Sequence, residues 1–106
     1  MTVCTKKSLS RQRRRFLEHL QVLNFGRVES LRIVGGEPVL DPPPRTIVEY
    51  KFAFDNGHRP ELALEDFVLK APVVELFAHF DRIQSGVIDS LEIRHGMPFR
   101  MMFTAA

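Results

Sequence analysis

The stretch GRVESLRIVGGEPVL, from Gly26 to Leu40, decides the fold, because its pattern returns as GVIDSLEIRHGMPFR from Gly86 to Arg100. The offset between the two stretches is constant, since 86 − 26 = 60 and 96 − 36 = 60. The residues before each stretch correspond at the same offset: Phe16, Leu17, His19, Leu20 and Leu23 match Leu76, Phe77, His79, Phe80 and Ile83. We therefore predict a tandem duplication of one unit, over about 8–40 and 68–100, within a single domain of residues 1–106.

The composition is that of an ordinary soluble domain. The chain has 106 residues, of which 44% are hydrophobic and 26% are charged, and this is enough for one modest core. No apolar run approaches the roughly 20 residues that a membrane-spanning helix needs, and the start of the chain lacks the apolar segment of a signal peptide. The single cysteine, Cys4, cannot form an internal disulfide. We expect a cytoplasmic protein that makes no membrane contact.

The first copy predicts a helix followed by a β-hairpin. Either Ser8 or Ser10 is suited to cap the first turn of the helix, and Gly26 is suited to the left-handed conformation that often ends one. The segment Val28–Val34 follows as a strand with Leu31 and Ile33 on one face. The next two residues are both glycine, as a two-residue type I′ hairpin turn prefers.

The second copy repeats this order. Pro72 is tolerated at the first position of a helix, so we expect the second helix to start there and to end at Gly86. A strand is predicted over Val87–Arg94, a turn at His95-Gly96, and a return strand over Pro98–Phe103.

The segment between the copies has no counterpart at the 60-residue offset. It consists of a stiff proline-rich connection and an extra strand, within residues 41–64. The strand is predicted over Thr46–Phe54, where these apolar residues alternate with others: Val48, Tyr50, Phe52 and Phe54. Pro38 lacks a backbone donor, so the return strand of the first hairpin should lie at a sheet edge. The predicted fold is α+β, in the order αββ-β-αββ, with the helices on one face of an antiparallel sheet.

Each half also resembles the small bacterial proteins of the YezD type, in which a helix leads into an aromatic-Gly-x-Val strand and a glycine-containing turn. The residues that carry the resemblance are Leu20, Leu23, Phe25, Gly26, Val28 and Gly36. The resemblance covers about a quarter of the chain in each copy, and it implies no activity, cofactor or site residue.

Three patterns invite a chemical function, and none completes a site. His19 and His79 hold equivalent positions, but a metal site usually needs three or four ligands and no further ligand is shared between the copies. Glu29 and Asp89 each precede a serine, but no histidine is tied to them by spacing. The glycines lack the phosphate-binding pattern Gly-Lys-Ser/Thr. We predict no catalytic residue, metal or cofactor, and hence no enzyme.

The beginning of the chain is strongly basic. Residues 1–15 contain six basic residues and no acidic one: Lys6, Lys7, Arg11, Arg13, Arg14 and Arg15. Such a segment could neutralise the phosphates of DNA or RNA without reading sequence, and this binding would weaken in salt. The other interpretation is a solvated arm that aids solubility or docks on the acidic body of another copy. Residues 1–7 show no apolar period, so we expect them to be disordered.

The other end of the chain favours protein association. Methionine and aromatic residues are enriched at contact surfaces, and four of them lie close together near the C-terminus: Phe99, Met101, Met102 and Phe103. We predict a small non-enzymatic binding or regulatory module that associates with a protein partner or with a second copy. The alternative is a nucleic-acid-binding protein that uses the basic N-terminal segment.

Overall fold

The structure is a computed structural model that describes residues 4–53, 64 and 66–104. It contains two helices and five strands: α1 Arg11–Leu23, β1 Gly26–Val34, β2 Glu37–Pro38, β3 Arg45–Val48, α2 Ala71–Ile83, β4 Gly86–Arg94 and β5 Met97–Met102. A 3₁₀ turn, Lys6–Ser8, precedes α1. The predicted α+β class is confirmed, and the sheet is antiparallel throughout.

The sheet is built around β1 and β4. Its strand order is β2-β1-β4-β5, and β3 also pairs with β1. The short β2 covers the end of β1 at Ile33 and Val34, while β3 covers the beginning, from Gly26 to Glu29. One side of β1 is therefore shared by two short strands, and the sheet ends at β2 and β3 on one side and at β5 on the other.

The register between β1 and β4 stays the same when the two halves of the chain are exchanged. Gly26 lies opposite Ile93, and Ile33 lies opposite Gly86. A shift of 60 residues converts Gly26 into Gly86 and Ile33 into Ile93, so each of these pairs is the image of the other. The central ladder consequently has an approximate two-fold axis at its middle.

One face of the sheet and both helices share a single core. The buried strand residues are equivalent in the two halves: Val28, Leu31 and Ile33 in β1, and Ile88, Leu91 and Ile93 in β4. From the helices, Phe16 and Phe80 are fully buried and their ring centroids lie 5.9 Å apart. The predicted apolar stripe of α2 is buried over Val73–Phe80, whereas Ile83 is only partly buried. Contact between helix stripes and one sheet face accounts for most of the apolar burial.

The helix ends only partly follow the sequence prediction. Ser10 is the N-cap of α1, because its hydroxyl accepts a hydrogen bond from the amide of Arg13 at 3.2 Å. Both helices end before the glycines: the residues with positive φ are Asn24 (φ 61°) and Gln84 (φ 58°). The prediction that Gly26 supplies the left-handed cap is therefore wrong.

Gly26 is needed for a different reason. A Cβ atom added there would lie 2.1 Å from the carbonyl oxygen of Ile47 on β3, which is well inside van der Waals contact. Its equivalent, Gly86, would meet only a side-chain methyl of Ile83, at 3.2 Å. The close approach of β3 to β1 excludes a side chain at residue 26, and none of the described strands makes this approach at residue 86.

The hairpin turns have the conformation that their sequences predict. Gly35 and Gly36 both have positive φ (59° and 77°), as do His95 and Gly96 (55° and 70°). Pro38 lies in β2 at the sheet edge, where its missing donor costs nothing. The turn prediction and the edge prediction are thus confirmed.

Two segments differ from the sequence prediction. β3 ends at Val48, so the alternation predicted to continue through Tyr50 and Phe52 does not form a strand; Phe54 lies outside the described residues. At the N-terminus, the amide of Leu69 donates to the carbonyl of Cys4 at 2.9 Å, and Thr5 forms a β-bridge with Val68. Residues 4–8 are therefore ordered by backbone pairing, which a search for apolar periodicity cannot detect.

Candidate interaction surfaces

The basic N-terminal residues are mostly occupied by contacts within the chain. The ammonium of Lys6 is buried, donates to the carbonyl of Leu64 at 3.1 Å and lies 5.6 Å from the ring centre of Phe67. The backbone amide of Lys7 donates to the carboxylate of Asp66 at 2.9 Å, and this bond lowers the pKa of Asp66. The side chain of Lys7 remains exposed.

The arginines of α1 also include some that contact the protein itself and one that is exposed. Arg13 donates to the carbonyl of Gly36 at 2.9 Å and pairs with Asp81. The other contacts are those of Arg14 with the carbonyl of Lys7 at 3.3 Å and of Arg15 with Asp41 at 3.2 Å. Arg11 is exposed. Of the six basic residues, Lys7 and Arg11 therefore present the freest charges to an external phosphate.

Among the described strands, the C-terminal strand β5 forms one free edge of the sheet. Three of the four predicted interface residues are exposed by about half of their surface: Phe99, Met102 and Phe103. Met101 instead lies opposite Leu91 and packs against the core. The guanidinium carbon of Arg94 lies 3.9 Å from the ring centre of Phe99 and covers part of that ring.

A second apolar surface lies beside β3, where the sequence predicted half-buried residues. Val48, Tyr50 and Phe52 are 67%, 64% and 84% exposed, and the rings of Tyr50 and Phe52 meet edge to face at 5.2 Å. The sequence predicted a half-buried strand here because alternation is typical of a strand with one buried face. No local feature of the sequence marks the end of β3 at Val48.

The sheet face opposite the helices carries paired charges. Glu29 lies between Arg27 and Arg45, at 3.0 and 3.4 Å. On the neighbouring strands, Arg100 pairs with Glu92 at 2.7 Å. Glu29 is shared by two arginines, so this group of three residues carries one net positive charge, whereas Arg100 and Glu92 balance each other.

The two equivalent histidines lie in separate environments. His19 shares a hydrogen bond of 2.9 Å with the hydroxyl of Thr46, and burial lowers its pKa. His79 contacts Arg82 on its own helix. The two imidazoles line different clefts, His19 with the proline-rich segment and His79 with β4 and β5. Within the part of the chain that the structure describes, no group of three or more His, Cys, Asp or Glu residues could hold a metal ion.

The two serine-adjacent acids also have separate partners. Glu29 belongs to the arginine pairs of β1 and β3, and Asp89 accepts a hydrogen bond from the hydroxyl of Thr104 at 2.7 Å. Cys4 is an exposed free thiol. None of these groups has a histidine partner among the described residues, so they do not form a nucleophile and base.

Comparisons with known proteins identified no relative: no family model, curated protein or solved structure matches the chain. Among the described helices, none is both long enough and apolar enough to cross a bilayer. The function must therefore be inferred from the surfaces themselves.

Proposed function

We propose that this chain is a non-enzymatic protein-association module, that its working surface is the free edge of β5, and that its partner is a second copy. The observation that supports this proposal is the exposure of Phe99, Met102 and Phe103 on or just after a strand whose outer edge pairs with no other described strand. An unpaired edge offers backbone donors and acceptors to another strand, and exposed apolar residues beside it favour burial. Soluble monomers usually protect such edges with charges, bulges or short strands.

The β5 edge is only partly protected. Pro98 lacks a donor and the ladder shifts register near it, so pairing with another chain is disfavoured at the beginning of the strand. Phe99 is the extra residue at this shift, whereas the segment from Arg100 to Phe103 has no such obstacle. Antiparallel pairing of this segment with its copy would extend the sheet across the dimer and cover both sets of apolar side chains.

The experiment is to measure the mass of the full chain by sedimentation over a wide concentration range. We expect the wild type to dimerise and Met102→Lys to remain monomeric, because a lysine at the interface would be buried without a partner. Val34→Lys is the matched control, since Val34 is similarly exposed but lies on β1, which β4 separates from β5. A monomeric wild type at high concentration, or equal loss of dimer in both variants, would contradict the proposal.

We also propose that the domain arose by tandem duplication of a helix–hairpin unit. The constant 60-residue offset and the self-consistent register of β1 on β4 support this origin. Two copies of one unit would pair through their central strands in the same register as the two halves do. Association through strands would then be an ancestral property of the unit.

Nucleic-acid binding remains the second candidate, and the exposed charges of Lys7 and Arg11 favour it. Because the other four basic residues contact the protein itself, we expect binding to duplex DNA, single-stranded DNA and RNA to be weak and salt-sensitive. The double variant Lys7→Ala/Arg11→Ala should abolish it. Salt-resistant binding, or binding unaffected by this variant, would contradict a phosphate-contacting role for the segment.

A further inference from the structure

A second site lies in a cleft between α1, the start of α2 and the second hairpin turn. The cleft has a volume of about 230 Å³. An apolar cavity of roughly 150 Å³ already accommodates benzene, so this one has room for a bicyclic ring. Most of its lining is apolar, and the residues that matter here are Leu17, Gln21, Val73, Gly96 and Met97.

Gln21 is the unusual member of this lining. It is only 5% exposed, and its Oε1 atom has no hydrogen-bond partner among the described residues. Buried polar atoms in native proteins nearly always have a partner, so an unpaired one needs an explanation. The terminal torsion of a glutamine is soft, and a small rotation presents either end of the amide to the cleft.

The other half of the domain shows what fills the equivalent position. At the 60-residue offset, Gln21 corresponds to Asp81, Gly96 to Gly36 and Val73 to Arg13. There the guanidinium of Arg13 pairs with Asp81 and donates to the carbonyl of Gly36. It also lies 5.3 Å from the ring centre of Phe77, the counterpart of Leu17. In the cleft, Val73 supplies no such donor, and the Oε1 atom of Gln21 has no partner there among the described residues.

The surroundings of Arg13 are acidic, whereas the described residues of the cleft are not. The acids that surround Arg13 are Asp81 and Glu37, and their counterparts are the neutral residues Gln21 and Met97. Lys70 also lines the cleft. Because the described lining residues include no carboxylate and do include the ammonium of Lys70, they do not favour a cation.

We propose that this cleft binds an uncharged, largely apolar small molecule of about the size of indole, whose single N–H donor points to the amide oxygen of Gln21 and the carbonyl of Gly96. The apolar body packs against Leu17, Val73 and Met97, where burial supplies most of the affinity. This inference depends on the correspondence between the two halves and is independent of the proposed association through β5.

Three probes of similar size separate the contributions to binding. Indole carries the donor, benzothiophene has nearly the same shape without a donor, and benzamidine carries donors and a positive charge. The ¹⁵N-labelled full chain is titrated with each probe, and amide shifts are followed by NMR. We expect indole to shift Gly96 and Met97 and to bind about tenfold more tightly than benzothiophene, the typical effect of one buried hydrogen bond. Benzamidine should bind more weakly than indole.

Two substitutions at one residue test the acceptor directly. Gln21→Leu keeps the volume and should weaken indole about tenfold while leaving benzothiophene unchanged. Gln21→Glu restores the acid found at Asp81 and should reverse the preference in favour of benzamidine. Gln12→Leu makes the same chemical change on α1 outside the cleft lining and should leave all three affinities unchanged.

The alternative outcomes are equally distinct. Absence of indole shifts at Gly96 and Met97 would overturn the proposal, and so would equal affinities for indole and benzothiophene in the wild type. Retention of the indole preference in Gln21→Leu would also overturn it, provided that the NMR spectrum of the variant shows a folded protein. If that variant does not fold, the comparison of probes on the wild type still decides the matter.

Discussion

The carbonyl of Gln84 accepts a hydrogen bond from the amide of Gly36 at 2.8 Å, and this contact joins the end of α2 to the turn of the first hairpin. The equivalent bond runs from the amide of Gly96 to the carbonyl of Asn24 at 2.9 Å. Each hairpin turn is thus attached to the helix end of the other half. Both acceptor residues have positive φ and lie at the centre of a tight three-residue turn, a strained conformation for residues other than glycine.

This strain predicts that Gln84→Gly stabilises the domain. Relief of a positive-φ conformation stabilises the folded protein by about 1–3 kcal/mol. The extra freedom of glycine in the unfolded chain offsets about 0.5–1 kcal/mol of this gain. We expect a net increase of roughly 1 kcal/mol in the free energy of unfolding, measured by urea denaturation. Gln12→Gly, in the first turn of α1, should instead cost up to about 1 kcal/mol. A loss of stability in Gln84→Gly would show that its side-chain bond to the Asp81 carbonyl outweighs the strain.

Gly26 and Gly86 form a second matched pair. Gly26→Ala places a methyl group against the Ile47 carbonyl and must push β3 away from β1, so we expect a loss of about 2–4 kcal/mol. Gly86→Ala meets only a movable methyl of Ile83 and should change stability by less than about 1 kcal/mol. Denaturant unfolding of the two variants measures the difference. Equal losses would mean that β3 does not approach residue 26 closely in solution.

The helix ends and the glycines Gly26 and Gly86 also show which parts of the fold were predictable from the sequence. The helices, the central strands and the turns depend on local periodicity and on glycine, and their positions followed from the repeated pattern. The contact between Gly26 and β3 depends on a segment that is not repeated, so its geometry could not be read from either copy. The end of β3 at Val48 was not predicted either. Where this strand stops depends on its pairing with β1, which is a tertiary contact.

The candidate surfaces were predictable to a smaller extent. Phe99, Met102 and Phe103 were identified from composition, and the structure leaves them exposed. The interpretation of the basic segment as a free arm failed for Lys6 and Arg13, because both side chains reach acceptors far away in the sequence. Charge counting does not reveal such contacts. The sequence shows that Arg13 and Val73 hold equivalent positions. Only the structure shows that Val73 lines a cleft where Arg13 instead makes contacts with the protein.

Arg13 contacts the other half of the domain, so we expect its side chain to stabilise the folded protein. Its side chain is largely buried, bonds the Gly36 carbonyl and Asp81, and lies over Phe77. Arg13→Met keeps the length of the side chain and removes the donors, so we expect a loss of about 1–3 kcal/mol in unfolding free energy. Arg11→Met changes the net charge equally at an exposed position and should lose less than about 0.5 kcal/mol. Similar losses in both would indicate that charge, and not the contact, is responsible.

The partly buried imidazole of His19 predicts a specific dependence of stability on pH. Burial lowers the pKa of His19 below its usual value of 6.5 in the folded protein, so the unfolded chain takes up the proton first as the pH falls. The contribution of neutral His19 to stability is complete above the unfolded pKa and is lost as the pH falls towards and through the folded pKa. The difference in unfolding free energy between wild type and His19→Gln should therefore shrink or change sign between about pH 7.5 and pH 5. An NMR titration of the His19 ring provides the independent check: a midpoint at or above the usual value, or a pH-independent difference between the two proteins, would contradict the prediction.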